Sequence, residues 1–208
     1  MYNSFISNKI DTNIIQKITR TFESLNYMST KLVTPIFRVS FPHVFEMSSY
    51  AESTPKYSLS AIWEPERFTA KEKELWAKIN AEMNKVSIEK FKKKWCDLPS
   101  NIRRGLKDGG EKENLSGYGE GKLFATLSSK NKPGIIDIHN EIITSPDDFY
   151  AGCYAQAVIS IYSYDNKGKG IAFGLSSIRK IKDGERLDSY SNPLSDFADQ
   201  EIDDAWME

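Results

Sequence analysis

Residues 153–165 constrain the fold more than any other stretch. Taken at every second position they give Cys153, Ala155, Ala157, Ile159 and Ile161 on one side, and Tyr154, Gln156, Val158, Ser160, Tyr162 and Tyr164 on the other. A period of two marks a β-strand with one face on a core and one towards water. The small apolar set must be the core side. Three tyrosines therefore share the outer face with amide and hydroxyl groups.

The same period recurs elsewhere. In residues 33–41 most odd positions are apolar (Val33, Phe37, Val39, Phe41), and Pro35 and Pro42 indicate an edge or a bulge. Residues 56–63 place Tyr57, Leu59, Ala61 and Trp63 on one face, Trp63 with the core, and Pro65 ends the strand. Residues 122–130 send Leu123, Ala125 and Leu127 inward and Lys122, Phe124, Thr126, Ser128 and Lys130 outward, with Lys132 extending that row. Further strands are expected at about 135–138 and at 171–180, the latter joined to 153–165 by the tight turn Asn166-Lys167-Gly168.

One substantial helix follows the second strand. Thr69-Ala70-Lys71-Glu72 is a capping-box sequence, and Leu75, Ile79, Met83 and Val86 follow at helical spacing with Trp76 beside them. The basic run Lys90-Phe91-Lys92-Lys93-Lys94-Trp95 reads as its solvated end, where cations suit the helix dipole. Residues 105–121 hold six of the twelve glycines and are expected to form a flexible loop. Gly117-Tyr118-Gly119-Glu120-Gly121-Lys122 lacks the spacing of a phosphate-binding loop, and a strand follows it rather than a helix. Five or six strands with one helix favour a small barrel over a sandwich.

The chain has 208 residues and a formal charge of -1, and that balance hides an asymmetry. Residues 196–208 carry six acids and no Lys or Arg, which leaves 23 acids against 28 bases in the remainder. A mildly basic body suits a polyanionic partner, and a terminal acidic tail is either an interaction device or a solubilising one. At the other end, Ile10, Ile14, Ile18, Phe22 and Leu25 recur at helical spacing, Asp11 is a candidate cap, and Met28 opens a second start-like sequence. Residues 1–30 are therefore expected to be an appendage, partly helical, to a domain spanning 31–190, with 191–208 as a disordered acidic tail.

No run of eighteen apolar residues suggests a membrane span, and the N-terminus lacks a secretory pattern. Cys96 and Cys153 are expected as free thiols in a reducing cytoplasm. With His43 and His139 they show no metal-ligand spacing, so neither a metal nor another cofactor is expected. No Ser-His-acid set is evident. Asp147-Asp148 is either a nuclease metal pair or part of an ordinary helix start, and the chain is expected not to be an enzyme.

The outer aromatic residues carry the functional reading. Rings on a cationic, solvated sheet face can stack unpaired bases while lysines neutralise phosphates. Candidate DNA-contacting residues are Phe124, Tyr162, Tyr164, Tyr154, Lys122, Lys130, Lys132, Arg38 and Lys56. The alternative is that these rings pack under the helix or the long loop.

Several separated stretches resemble phage-encoded single-stranded-DNA-binding proteins of the OB-fold type. They are Arg38-Val39-Ser40-Phe41-Pro42-His43-Val44-Phe45-Glu46, Lys56-Tyr57-Ser58-Leu59, Ser128-Ser129-Lys130-Asn131-Lys132-Pro133-Gly134, Phe149-Tyr150-Ala151-Gly152-Cys153-Tyr154-Ala155, Tyr162-Ser163-Tyr164-Asp165, Gly174-Leu175 and Asp196-Phe197-Ala198-Asp199. The resemblance covers about residues 31–199. It implies a mainly β fold, a five-stranded OB barrel with one long helix between strands two and three. It also implies binding of single-stranded DNA without sequence preference, in phage replication, recombination or repair, inside the host cytoplasm. The acidic tail, with Asp199, Asp203, Asp204 and Trp206, resembles tails that recruit replication partners and compete with DNA. A homodimer is one assembly this reading allows; a nuclease and a phage structural or interaction protein are its rivals. Gln156 stands where the family pattern suggests a basic residue, and residues 1–27 have no counterpart.

Overall fold

A computed structural model describes residues 30–49, 54–165 and 168–187. The helical spacing from Ile10 to Leu25, the turn residues Asn166 and Lys167, and the acidic tail with Asp199, Asp203, Asp204 and Trp206 lie outside the described residues. Within them the strands are β1 (Leu32–Val33), β2 (Phe37–Ser48), β3 (Lys56–Trp63), β4 (Ile102–Arg103), β5 (Leu106–Asp108), β6 (Leu123–Ser129), β7 (Gly134–Ile136), β8 (Tyr154–Asp165) and β9 (Lys169–Lys182). One helix, α1 (Ala70–Phe91), lies between β3 and β4. The protein is mainly β.

The pairing returns to its starting strand. β2 lies antiparallel to β3 with Val39 opposite Ala61, and β3 lies antiparallel to β6 with Leu59 opposite Leu127. β6 runs parallel to β9 with Leu127 opposite Phe173, and β9 lies antiparallel to β8 with Phe173 opposite Ile161. β8 then pairs with β2, Phe37 opposite Ala155. Every residue named in these pairs is buried, so the inward faces of all five strands meet in one core. This is the face that alternation assigns to the core in residues 153–165, and the small side chain of Ala155 leaves room for Phe37 opposite it.

Helix α1 forms where its cap dictates. The Thr69 hydroxyl accepts from the Glu72 amide at 3.3 Å while the Glu72 carboxylate accepts from the Thr69 amide at 3.0 Å. Glu72 also accepts from the Ile36 amide at 3.1 Å, which ties the helix start to the segment entering β2. Burial pushes the Glu72 carboxyl up, but these bonds outweigh it and hold it below the usual carboxylate range. Ile79 and Met83 are buried against the core, while Trp76 packs on Trp63 and Phe68 with ring centroids 5.3 and 5.6 Å away. The helix ends at Phe91 because Lys92 adopts the left-handed conformation of a C-cap.

Three local readings need correction. Residues 33–41 are not one strand. They split at Thr34–Ile36, where the Thr34 amide and hydroxyl bond to the main chain of Ala157, and Val33 is 45% exposed. β2 also continues to Ser48 through a bulge: Ser40 pairs Ser60 and His43 pairs Ser58, so β2 carries one extra residue. Pro42, which has no amide hydrogen to give to a ladder, sits in that bulge. The bulge turns Phe41 outward and brings Val44 into the core, against simple alternation. Second, the glycine-rich segment is folded. It contains β5 and a short 3-10 turn at Gly109–Lys112, and Tyr118 is buried. Third, Ser145–Phe149 is a turn rather than a helix start. The amides of Asp148 and Phe149 donate to the carbonyls of Ser145 and Pro146, and Phe149 plugs the core.

The cysteines sit in opposite environments. Cys96 is exposed and Cys153 is fully buried, where burial pushes its thiol up to about 11. One thiol per chain should react quickly with a thiol reagent in the native state at pH 8, and the second only on unfolding. Two fast thiols would mean that the β8 end of the core opens.

Candidate nucleic-acid interface

A cleft of about 740 Å³ lies on the outer face of β3, β6, β9 and β8. Its floor is set by register. Thr126 and Ser128 of β6 face outward beside Ser60 and Ser58 of β3, and Ser128 is next to Gly174 of β9. Ala172 and Gly174 lie opposite Tyr162 and Ser160 of β8. These small side chains keep the floor low between the Phe124 ring on one side and the Tyr162 and Tyr164 rings on the other. At Gly174 an added methyl would meet the Ser160 hydroxyl at 2.5 Å, so the floor tolerates nothing larger there.

Lys56, Arg103, Lys107 and Lys112 line the same cleft, and among the described residues no acidic side chain does. Only Lys107 among these four has a carboxylate partner among the described residues, Glu111 at 3.4 Å. The Lys112 ammonium sits over aromatic faces instead, 4.9 Å from the Phe124 centroid, 5.2 Å from Tyr118 and 5.4 Å from Phe41. Burial pushes the Lys112 ammonium down; nearby Lys107 adds to this and Glu111 opposes it. Such a cation loses little when a phosphate replaces the ring faces as its partner.

The residues singled out from sequence divide into groups. Lys56, Phe124, Tyr162 and Tyr164 come together in the cleft. Phe124 is not solvated, however: it is 3% exposed, packed edge-on against Tyr118 at 5.2 Å and joined by Ile62, with Leu115 and Leu187 alongside. The glycine-rich segment covers it, as the packing alternative supposes, because that segment folds onto β6 through the β5–β6 pairing. Its outward direction is as read; its exposure is not. Lys122 points to its own loop, donating to the Gly117 carbonyl at 2.9 Å, with Glu64 3.9 Å away. Lys130 and Lys132 are exposed at the turn after β6, beyond the pair Tyr57–Ser129 and hence near Lys56.

Arg38 and Tyr154 line a separate hollow of about 260 Å³. Its walls include Glu64 and Glu72 as well as Lys182, so its charge is mixed. Arg38 donates to the Glu185 carbonyl at 2.8 Å and lies 3.8 Å from its carboxylate, while the Lys182 ammonium sits 4.7 Å from the Tyr154 ring. Gln156 has a structural task, donating to the Thr34 carbonyl at 3.1 Å where β1 leaves β8. Asp147 and Asp148 are exposed, and among the described residues no three His, Cys, Asp or Glu side chains cluster as a metal site requires.

Sequence reasoning missed Arg103, Lys107, Lys112 and Tyr118. All lie between α1 and β6, a stretch with no usable period. Their positions depend on the parallel β4–β9 pair and on β5–β6, which join residues far apart in the chain. The one legible signal was cations and an aromatic among glycines.

A family model described as Enterobacter phage Enc34, ssDNA-binding protein, matches residues 30–207. The chain belongs to this family. Protein p50 of Acyrthosiphon pisum secondary endosymbiont phage 1 is 32% identical over 154 residues, covering 71% of this chain and 81% of that protein. The fold is similar to the single-stranded DNA-binding protein from bacteriophage Enc34 in complex with ssDNA, with a TM-score of 0.62 at 23% identity over 75% of this chain and 88% of that one. It is also similar to gp2.5, a single-stranded DNA-binding protein encoded by bacteriophage T7, with a TM-score of 0.50 at 11% identity over 84% and 96% of the two chains. The match to the Enc34 family begins at residue 30, so residues 1–29 lie outside the part the family shares.

Proposed function

We propose that this member of the Enc34 family binds single-stranded DNA without sequence preference, in phage DNA replication, recombination or repair. The observation that carries the reading is the cleft: cations and aromatic rings around a floor of small side chains, with no acid among its described lining residues. A single strand needs a phosphate-neutralising groove with π-faces for its bases, and hydrogen bonds that read base identity are not required. The ring of five strands supports reading the domain as an OB barrel, with α1 between its second and third principal strands (β3 and β6). Lys56, Lys112, Tyr162 and Tyr164 are its primary contacts; Lys130 and Lys132 extend the cationic track past Lys56. Arg38 and Tyr154 are secondary, since their hollow is separate and mixed in charge. The protein acts by binding rather than by catalysis, in the host cytoplasm.

The acidic tail modulates this site. Its root is pinned beside the cleft: the Leu187 amide donates to the Ala151 carbonyl at 2.9 Å and its side chain joins Ile62, Tyr118 and Phe124. Asp199, Asp203 and Asp204 then compete with phosphates for the cleft, and together with Trp206 they offer a handle to replication proteins. Removing residues 196–208 should tighten binding of labelled oligo-dT several-fold at low salt, read by fluorescence anisotropy. An unchanged affinity would take the tail out of this account. The label is needed because the described tryptophans, Trp63, Trp76 and Trp95, do not line the cleft. The parent reading is tested by the same titration of the full chain, which should give saturable binding to oligo-dT. Absence of binding, or cleavage of the strand with magnesium or manganese, would overturn it.

A further inference from the structure

The bulge in β2 has a consequence for the cleft. Alternation along β2 assigns Phe41 to the core with Phe37 and Val39. Instead it is 46% exposed and holds φ at +48°, a left-handed conformation uncommon for an aromatic residue. Such a conformation persists where the surrounding structure imposes it, and bulges re-aim side chains at functional sites. Here Ser40 before it is paired with Ser60, and Pro42 and then His43, paired with Ser58, follow, so the chain is held on both sides of the turn.

The ring is aimed at the cleft's own cation. Lys112 lines the cleft, and its ammonium is 5.4 Å from the Phe41 centroid and 4.9 Å from that of Phe124. Around the sheet the order is β2, β3, β6, β9, β8. The β2–β8 pairing that closes the ring lies at Phe37 and Arg38, away from the bulge. On the outer face the register runs from the bulge at Phe41 past Ser58 of β3, Ser128 of β6 and Gly174 of β9 to Ser160 of β8, beside Tyr162. Phe41 therefore lies at the end of that row away from the tyrosines, just beyond the residues that line the cleft. Unlike Phe124 it is open to solvent, so a base can reach it with no movement of the glycine-rich segment.

We infer that Phe41 is a base-stacking platform, and that a single strand crosses the cleft from the Tyr162–Tyr164 rim to Phe41 just beyond it with Lys112 on its phosphates. This rests on the reading of the cleft as a single-strand site. It adds a contact that alternation places in the core.

The test uses the full chain and labelled oligo-dT. Phe41→Ala should weaken binding on the order of tenfold, within the range one stacked base contributes, and Phe41→Trp should restore it. Phe41→Gly should weaken binding equally while leaving the melting temperature unchanged or higher, since glycine takes a positive φ without strain. On an abasic strand of the same length the Phe41 variants should bind like the wild type, because that strand has phosphates but no bases to stack. A strand carrying 5-iododeoxyuridine should crosslink at Phe41. Wild-type affinity in Phe41→Ala and Phe41→Gly would overturn the inference, as would an equal loss on the abasic strand. Failure of the wild-type protein to bind oligo-dT would instead overturn the parent reading, so the two failures are distinct.

Discussion

Thr126→Glu should abolish most single-strand binding and leave the fold intact. Thr126 is exposed near the middle of β6, opposite Ser60, and lines the cleft floor between Phe124 and Ser128. Its side chain makes no contact that holds the core, so exchange should change stability by no more than about 0.5 kcal/mol. A carboxylate there faces every phosphate that enters and also offers a partner to Lys56 or Lys112. Like charges held together at an interface cost several kcal/mol, so affinity for oligo-dT should fall roughly 100-fold or more. Thr126→Val, which keeps the shape without charge, should bind within a few-fold of wild type. Equal affinity in the glutamate variant would move the DNA off this face.

Trp63→Ala should give the largest loss of stability. Trp63 is buried at the end of β3, with Phe37 edge-on at 5.7 Å and Trp76 at 5.3 Å, and its indole donates to the Pro35 carbonyl at 3.4 Å. The ring thus joins β2, β3 and α1. Truncating a buried Trp to Ala costs about 3–5 kcal/mol, a large part of the roughly 5–15 kcal/mol that holds a domain of this kind folded. A thermal melt followed by circular dichroism should shift down by roughly 10–15 °C. A shift of only a degree or two would mean that this end of the core relaxes around the cavity.

These two positions also illustrate what was legible in the sequence. Trp63 was assignable to the core because it shares parity with Leu59 and Ala61, and a strand leaves no choice of face. Thr126 and the β8 tyrosines were assignable outward by the same rule, and the Thr69–Glu72 pair located the start of α1. The rule failed where parity breaks. The extra residue at Phe41–Pro42 inverts β2, so Phe41 goes out and Val44 goes in. It also could not foresee coverage. Phe124 points outward as expected, yet is sealed by Tyr118 and its neighbours because two short strands, β4 and β5, fold the glycine-rich segment back over the sheet. Three of the four cleft cations come from that region, so the charge of the site was legible only as a mild excess of base over the whole body. Arg38 and Lys122 were read as phosphate contacts from their parity. In the fold each already has a carbonyl partner, Glu185 for Arg38 and Gly117 for Lys122, which is why Arg38 enters the proposal only as a secondary contact and Lys122 not at all.

Affinity for labelled oligo-dT as a function of salt tests the central claim most directly. If Lys56, Arg103, Lys107 and Lys112 meet phosphates, log K should fall linearly with log salt with a slope between about −2 and −3, at roughly −0.7 per phosphate neutralised on a single strand. Lys56→Ala should make that slope shallower by roughly one contact's worth. Binding whose strength does not change with salt, or a slope that Lys56→Ala leaves untouched, would contradict the assignment of this cleft to the DNA backbone.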